Sequence, residues 1–169
     1  MRYLLLDRIT QLQAPTLATG IKCVSLSDDI FADHFPGHPV MPGALILESL
    51  AQLGGVLLEA SMRERGRHDL HALLVMVKEA KFRHLVQPGD KMELEAHGIL
   101  VHEDGGQVRA LAKVDGQVRV QAELTFAFAR VTNLKILERR REVLNIWLTG
   151  SAELVAPTGT SHGDEAGHA

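Results

Sequence analysis

DHFPGHPVMPGALILESLAQLGG, residues 33–55, decides the fold of this chain. Pro36, Gly37, Pro39, Pro42 and Gly43 make residues 34–43 a constrained loop rather than regular structure. From Gly43 the character changes. Ala44, Leu45, Ile46, Leu47, Leu50, Ala51, Leu53, Val56, Leu57 and Leu58 fall on every side of a helical wheel, and a helix that is apolar all round is a buried helix. In its middle, Glu48 and Gln52 stand four apart and share one face. A carboxylate in a buried helix is costly unless it is paired or chemically employed. The helix is expected to end over residues 60–65, with Gly66 as its stop.

Outward from this helix, residues 3–9 and 20–26 read as short strands. Ser27-Asp28-Asp29 reads as a turn. Residues 71–85 form a long strand buried at its start, ended by the Pro88-Gly89 turn. The clearest pattern follows. Met92, Leu94, Ala96, Gly98 and Leu100 alternate with polar residues, and Asp104-Gly105-Gly106 turns the chain. Val108, Ala110, Ala112 and Val114 alternate again, Asp115-Gly116 is a two-residue hairpin signal, and Val118, Val120, Ala122, Leu124, Phe126 and Phe128 repeat the period. Period two over three neighbouring segments means an antiparallel meander with one buried face. One helix needs wrapping and one sheet needs covering, so the economical fold is α+β, an antiparallel sheet curled around one long buried central helix.

The chain has 169 residues, which suits one domain (residues 1–131) with an extension. Its 46% hydrophobic content supports a sizeable core, and a net charge of -3 gives no argument for nucleic acid or an anionic membrane. The single cysteine, Cys23, excludes an internal disulfide, fits a reducing cytoplasm and reads as a small core residue. Leu4-Leu5-Leu6 is too short for a signal-peptide core, and the apolar run over residues 40–58 is too interrupted to make a good membrane span. Residues 132–148 are helical in character. Leu134, Leu137, Leu144 and Trp147 make a partial stripe, and Arg139-Arg140-Arg141 reads as the solvated basic face of a docking or oligomer-contact helix rather than a membrane-surface helix. Residues 149–169 read as a disordered, mobile tail whose His162 and His168 lack the companions a metal needs.

His34 and Glu48 carry the chemical content. Histidine suits a general base near neutral pH, and a glutamic acid in apolar surroundings can hold a proton to donate. Gly43 opens the helix, where outward N–H groups carry partial positive charge and the missing Cβ admits a ligand. A base, an acid and an oxyanion site in one segment suit proton abstraction beside a carbonyl with acid-assisted departure of a group. His34 and His38 do not make a metal pair, because Pro36, Gly37 and Pro39 prevent the helix that would align them. Residue types alone leave open whether Glu48 is catalytic or structural.

Residues 34–43, read as His-Phe-Pro-Gly-His-Pro-Val-Met-Pro-Gly and followed by Leu45-Ile46-Leu47-Glu48 and Ala51-Gln52, resemble the signature of the 3-hydroxyacyl-[acyl-carrier-protein] dehydratases of bacterial fatty acid synthesis. Leu4-Leu5-Leu6-Asp7-Arg8-Ile9, Lys78-Glu79-Ala80-Lys81-Phe82-Arg83 and Pro88-Gly89-Asp90 extend the likeness. The resemblance implies the hot-dog fold and conversion of a 3-hydroxyacyl thioester to a trans-2-enoyl thioester, without cofactor or metal. It implies that His34 removes the α-proton, that Glu48 from a partner subunit protonates the departing hydroxyl, and that the Gly43 N–H binds the thioester oxygen. The Val40 carbonyl would orient His34 and Gln52 would hold Glu48. It further implies a cytoplasmic homodimer, with trimers of dimers common, acting on thioesters of acyl carrier protein or coenzyme A.

Three features depart from the family pattern. The chain starts almost at the Leu-Leu-Leu-Asp-Arg segment, where relatives usually carry a preceding helix, which reads as a divergent form or a truncated start. Leu73, Leu74 and Val75 stand where an aromatic gate is common. The C-terminal helix and tail are additions. These departures suit a specialised lipid, polyene or polyketide pathway. Two other readings share the fold. An acyl thioesterase would use Glu48 on water but leave His34 without purpose; a non-catalytic acyl-binding or scaffold subunit would need neither. Lys81 with Arg83, or Arg63, Arg65 and Arg67, are candidate surfaces for an acidic carrier protein.

Overall fold

The computed structural model describes residues 3–149. Its strands are β1 (Arg8–Gln13), β2 (Leu17–Cys23), β3 (Leu70–Phe82), β4 (Lys91–Val101), β5 (Gly105–Val114) and β6 (Gln117–Arg130). Two helices, α1 (Gly43–Glu64) and α2 (Leu134–Leu148), and a short 3-10 turn at Asp29–Ala32 complete the described chain. All six strands join one antiparallel sheet in the order β1-β2-β4-β5-β6-β3. The sheet curls around α1, the hot-dog arrangement that the all-round apolar helix demands. Leu50, Leu53, Leu57 and Leu58 lose all contact with solvent, packed in one cluster with Met92, Leu94, Val108, Ala110 and Leu124 from the meander. Each such side chain contributes about 1.5–3 kcal/mol relative to exposure.

The period-two segments fold as their pattern directs, with two local exceptions. On β4 the alternation holds to Ala96, then a register shift between Gly98 and Leu100 leaves both Ile99 and Leu100 exposed. The second exception is the expected turn at Asp104-Gly105-Gly106. Both glycines lie within β5 instead, and a Cβ on Gly106 would stand 2.6 Å from Leu58 Cδ2 and 2.9 Å from the Leu100 carbonyl oxygen. Glycine here lets the sheet close on α1. The Asp115-Gly116 hairpin turn has φ of 50° and 77°, the left-handed pair a tight two-residue connection needs. Gly66 ends α1 with φ of 77°.

Three further expectations are corrected. Cys23 is exposed at the end of β2, with its N–H donating to Asp7 Oδ2, and is not a core residue. The long strand β3 is buried only at Leu70 and His71; Leu73 to Val77 are exposed along the edge of the sheet. On α2, Leu134 points outward, while Val143, outside the expected stripe, is buried beside Trp147. Asn133 caps α2 by accepting from the N–H groups of Lys135 and Ile136. The tail reading, with His162 and His168, lies outside the described residues. α1 is long and apolar enough to cross a membrane by composition, yet it is the enclosed core helix.

Gly106→Ala should lower stability by about 1–3 kcal/mol through overpacking against Leu58 and the Leu100 carbonyl. Urea unfolding with an unchanged midpoint would show that the sheet does not press on α1 at this point.

Candidate active site

The loop before α1 is held by its own backbone. The His34 N–H donates to the Ile30 carbonyl, the Val40 N–H returns to the His34 carbonyl at 2.9 Å, and Phe35 and His38 exchange backbone bonds across Gly37. Met41 N–H donates to the Val86 carbonyl and ties the loop to the segment between β3 and β4. These bonds fix the side chain of His34, whose Nδ1 lies 2.7 Å from the Val40 carbonyl oxygen. A carbonyl can only accept, so Nδ1 carries the proton and the neutral ring presents Nε2 as a free base. The Phe35 ring stacks on the His34 ring, with centroids 4.1 Å apart.

Gly43 is the first residue of α1, behind Pro42, so its N–H has no acceptor within the helix. The ring of Phe82, at the end of β3, rests against it: a Cβ on Gly43 would lie 2.6 Å from Phe82 Cε1. One turn and a half further on, Glu48 is half-buried rather than enclosed. Gln52 fixes it. Its Nε2 donates to Glu48 Oε1 at 2.9 Å and to the Tyr3 carbonyl, while its Oε1 accepts from the Leu5 N–H at 3.0 Å. The same side chain thus anchors residues 3–5 across the helix. Glu48 and Gln52 line a cavity of about 600 Å³, and His34 is not among its walls. Val40, Gly43 and His34 therefore form one constellation and Glu48 with Gln52 another, and no polar contact among the described residues joins the two.

A FabA-like domain model matches residues 1–128. The 3-hydroxyacyl-[acyl-carrier-protein] dehydratase FabZ of Bacillus velezensis is 42% identical over 125 residues, spanning 74% of this chain and 86% of the relative. Those of Clostridium acetobutylicum and Bacillus subtilis are 41% and 40% identical over similar spans, 73% and 74% of this chain and 85% and 86% of theirs. The chain belongs to the 3-hydroxyacyl-[acyl-carrier-protein] dehydratase family. Among solved structures, the dehydratase heterocomplex ApeI:P from Xenorhabdus doucetiae shares the fold with a TM-score of 0.64 at 20% identity, covering 80% of this chain and 90% of that one. A hypothetical thioesterase with coenzyme A from Streptococcus pneumoniae shares it with a TM-score of 0.57 at 9% identity, covering 73% and 85%.

The matched domain of this dehydratase stops before α2, and α2 closes the Glu48 cavity from the far side. Trp147 Nε1 donates to the Leu6 carbonyl at 2.8 Å, which fastens the end of α2 to the segment before β1. The middle of α2 is fastened by Arg140, which is not a solvated cation as its run of arginines suggested. Its guanidinium forms a two-pronged pair with Glu59 of α1: Nε lies 3.1 Å from Oε2, and Nη2 bonds Oε1. Glu59, only 2% exposed, is the carboxylate that α1 truly buries, and it also accepts from the Ala72 N–H at 3.0 Å. Arg63 reaches it at 3.4 Å, and His71 Nδ1 stands 3.6 Å away, too far for a hydrogen bond but near enough for attraction when protonated. Burial pushes the Glu59 carboxyl up, but His71, Arg140 and the Ala72 N–H together outweigh it and hold the group below the ordinary glutamate range. Sequence reasoning missed Glu59 because its partner is 81 positions away; the signal present was its place on the Glu48–Gln52 face of α1. The expected carrier-binding clusters are mostly paired internally, with Arg63 on Glu59, Arg67 on Asp69 and Lys81 on Glu79.

A depressed folded-state value means that Glu59 stabilises the fold above the ordinary glutamate range and loses that contribution as the pH falls through its own lower value. Glu59→Gln should therefore destabilise the dehydratase at pH 7 by about 1–3 kcal/mol, because a buried amide replaces the charged acceptor of Arg140 and the Ala72 N–H while the part-exposed Arg140 returns to water, and should flatten the acid limb of the stability curve. An acid limb identical to that of the parent protein would remove Glu59 from the account.

Proposed function

We propose that this protein dehydrates 3-hydroxyacyl chains borne on acyl carrier protein to trans-2-enoyl thioesters in fatty acid synthesis, with His34 as base and Glu48 as acid. The observation that carries the assignment of roles is the 2.7 Å contact between His34 Nδ1 and the Val40 carbonyl. It leaves Nε2 able to take the α-proton of the substrate. As the C–H bond breaks, its electron pair forms the new double bond, with charge passing through the thioester oxygen. The Gly43 N–H, carrying the positive end of the α1 dipole, is suited to hold that oxygen. The C–O bond then breaks, and a protonated Glu48 hands its proton to the departing hydroxyl, which leaves as water. Gln52 positions Glu48 through its amide hydrogen bond. The thioesterase reading gives the His34–Val40 bond no task.

The acid in each site is the Glu48 of a second copy. Two observations favour this arrangement. His34 does not border the Glu48 cavity of its own chain. Strand β3 is a sheet edge on which Leu73, Val75 and Met76 are 53%, 60% and 49% exposed. An open, apolar edge of that length invites pairing with another strand, and antiparallel pairing of β3 with its own copy would cover it. A reducing cytoplasm suits the exposed, unpaired thiol of Cys23.

Mass spectrometry of a 3-hydroxyacyl chain on acyl carrier protein should show loss of one water. His34→Ala and Glu48→Gln should each slow that loss by at least about 10²–10⁴-fold. Release of the free acid instead would establish the thioesterase. Mixing the two inactive variants should restore activity in mixed dimers, which then hold one intact His34–Glu48 pair. Failure of the mixture to recover, with subunit exchange shown separately, would place both groups in one chain. Val75→Lys, placing charges on the β3 edge, should turn the dimer into monomer by sedimentation.

A further inference from the structure

The cavity between α1 and α2 has a direction. Its α1 wall begins at Glu48 and Gln52, becomes apolar at Val56 and ends at Glu59. Across it, Arg140 of α2 closes on Glu59, Leu144 lines the cavity one turn further on, and Trp147, bonded to Leu6, stands toward the end where Gln52 holds Leu5. Leu4, Val56, Val143, Leu144 and Trp147 make an apolar band between Glu48 and the Glu59–Arg140 pair, with the exposed Asn133, Lys135 and Arg139 as its polar border, an arrangement suited to an alkyl chain. A methyl end that reached the Glu59–Arg140 pair would have to displace water from the Arg140 guanidinium, whose side chain is 38% exposed, or part it from Glu59, both unfavourable. From Glu48 to Glu59 the helix rises about 16 Å, the reach of about a dozen carbons in an extended chain.

We propose that α2 builds the acyl-chain site of this enzyme: the alkyl chain runs from Glu48 along α1 beneath Leu144 and Trp147, and the Glu59–Arg140 pair sets the longest chain accepted. This rests on the dehydratase reading of Glu48 and adds to it a residue-level basis for chain length. The helix that supplies it lies outside the matched family domain, residues 1–128.

Trp147 is the only tryptophan in the chain, so occupancy can be read without turnover. Acyl-pantetheine probes brominated in the first half of the chain should quench its fluorescence more strongly than probes brominated at the methyl end. Absence of quenching by every bromine position overturns the site, even in an active enzyme. Quenching with no dehydration of any chain keeps the site and sinks the activity assigned to Glu48. With kcat/KM measured on 3-hydroxyacyl chains from four to eighteen carbons, the parent enzyme should fall off beyond about twelve. Leu144→Trp should lower the ratio of twelve-carbon to four-carbon kcat/KM at least about tenfold, the scale on which pockets discriminate methylenes. Ile146→Trp, on the exposed side of α2, should leave the ratio unchanged. The double variant Glu59→Leu/Arg140→Leu should move the fall-off to longer chains. A uniform loss across all lengths in Leu144→Trp would show that α2 braces the fold and does not measure the chain.

Discussion

Helix α1 has no face for water over most of its length, and the rest of the molecule follows from enclosing it. Leu50, Leu53, Leu57 and Leu58 point in different directions and are all fully buried. A single flat sheet can cover only one side of such a helix; a curled one can cover most of it. Curling brings strands so near that side chains must be absent at chosen points. A Cβ on Gly54 would meet Val108 Cγ2 at 2.8 Å, and one on Gly106 would meet Leu58. The glycines are therefore spaced by the geometry of wrapping, and their positions on α1 and β5 answer one another.

The sheet cannot close completely, and the gap it leaves is the face of Glu48, Gln52, Val56 and Glu59. Glu48, Gln52 and Glu59 stand where the wrapping fails, while the enclosed hydroxyls of Ser49 and Ser61 donate to carbonyls of their own helix. The segment before β1 covers the first part of this gap, held by Gln52. Both amide hydrogens of Gln52 are used, one on Glu48 and one on Tyr3, and its oxygen is used by Leu5. A glutamine with its hydrogen bonds committed in this way cannot rotate freely, so it transmits its own fixed orientation to Glu48. Helix α2 covers the second part, where Val143 and Trp147 pack into the core beside the cavity. The Glu59–Arg140 pair attaches the helix at one point and the Trp147–Leu6 bond at another.

Much of this was legible in the sequence because it is local. Alternation over β4, β5 and β6 needs no knowledge of partners, nor do the Asp115-Gly116 turn, the Gly66 stop and the Pro-Gly loop carrying His34. The rest depends on contacts between distant residues. Arg140 reads as one of three solvated arginines until α2 is laid across Glu59. Cys23 reads as core because small sulfur side chains usually are, and it is exposed because β2 ends there. Gly105 and Gly106 read as turn because glycine also serves where backbones crowd, here Gly105 against the Phe126 carbonyl of β6 and Gly106 against Leu58 of α1.

Strand β3 shows the same ambiguity with a functional consequence. A run such as Leu73-Leu74-Val75-Met76-Val77 means removal from water, and hydrophobicity cannot say whether the cover is the same chain or another. In one chain the run is a bare edge, which is the condition proteins ordinarily avoid. The proposed site needs a second copy for a separate reason, since His34 and Glu48 belong to different constellations. Pairing two β3 edges in the proposed dimer would meet both needs at once: it would protect the exposed strand, and supply the acid, only when the partner is present. In the proposed dimer, stability of the assembly and competence for chemistry are therefore a single condition, set by the apolar edge rather than by the catalytic groups.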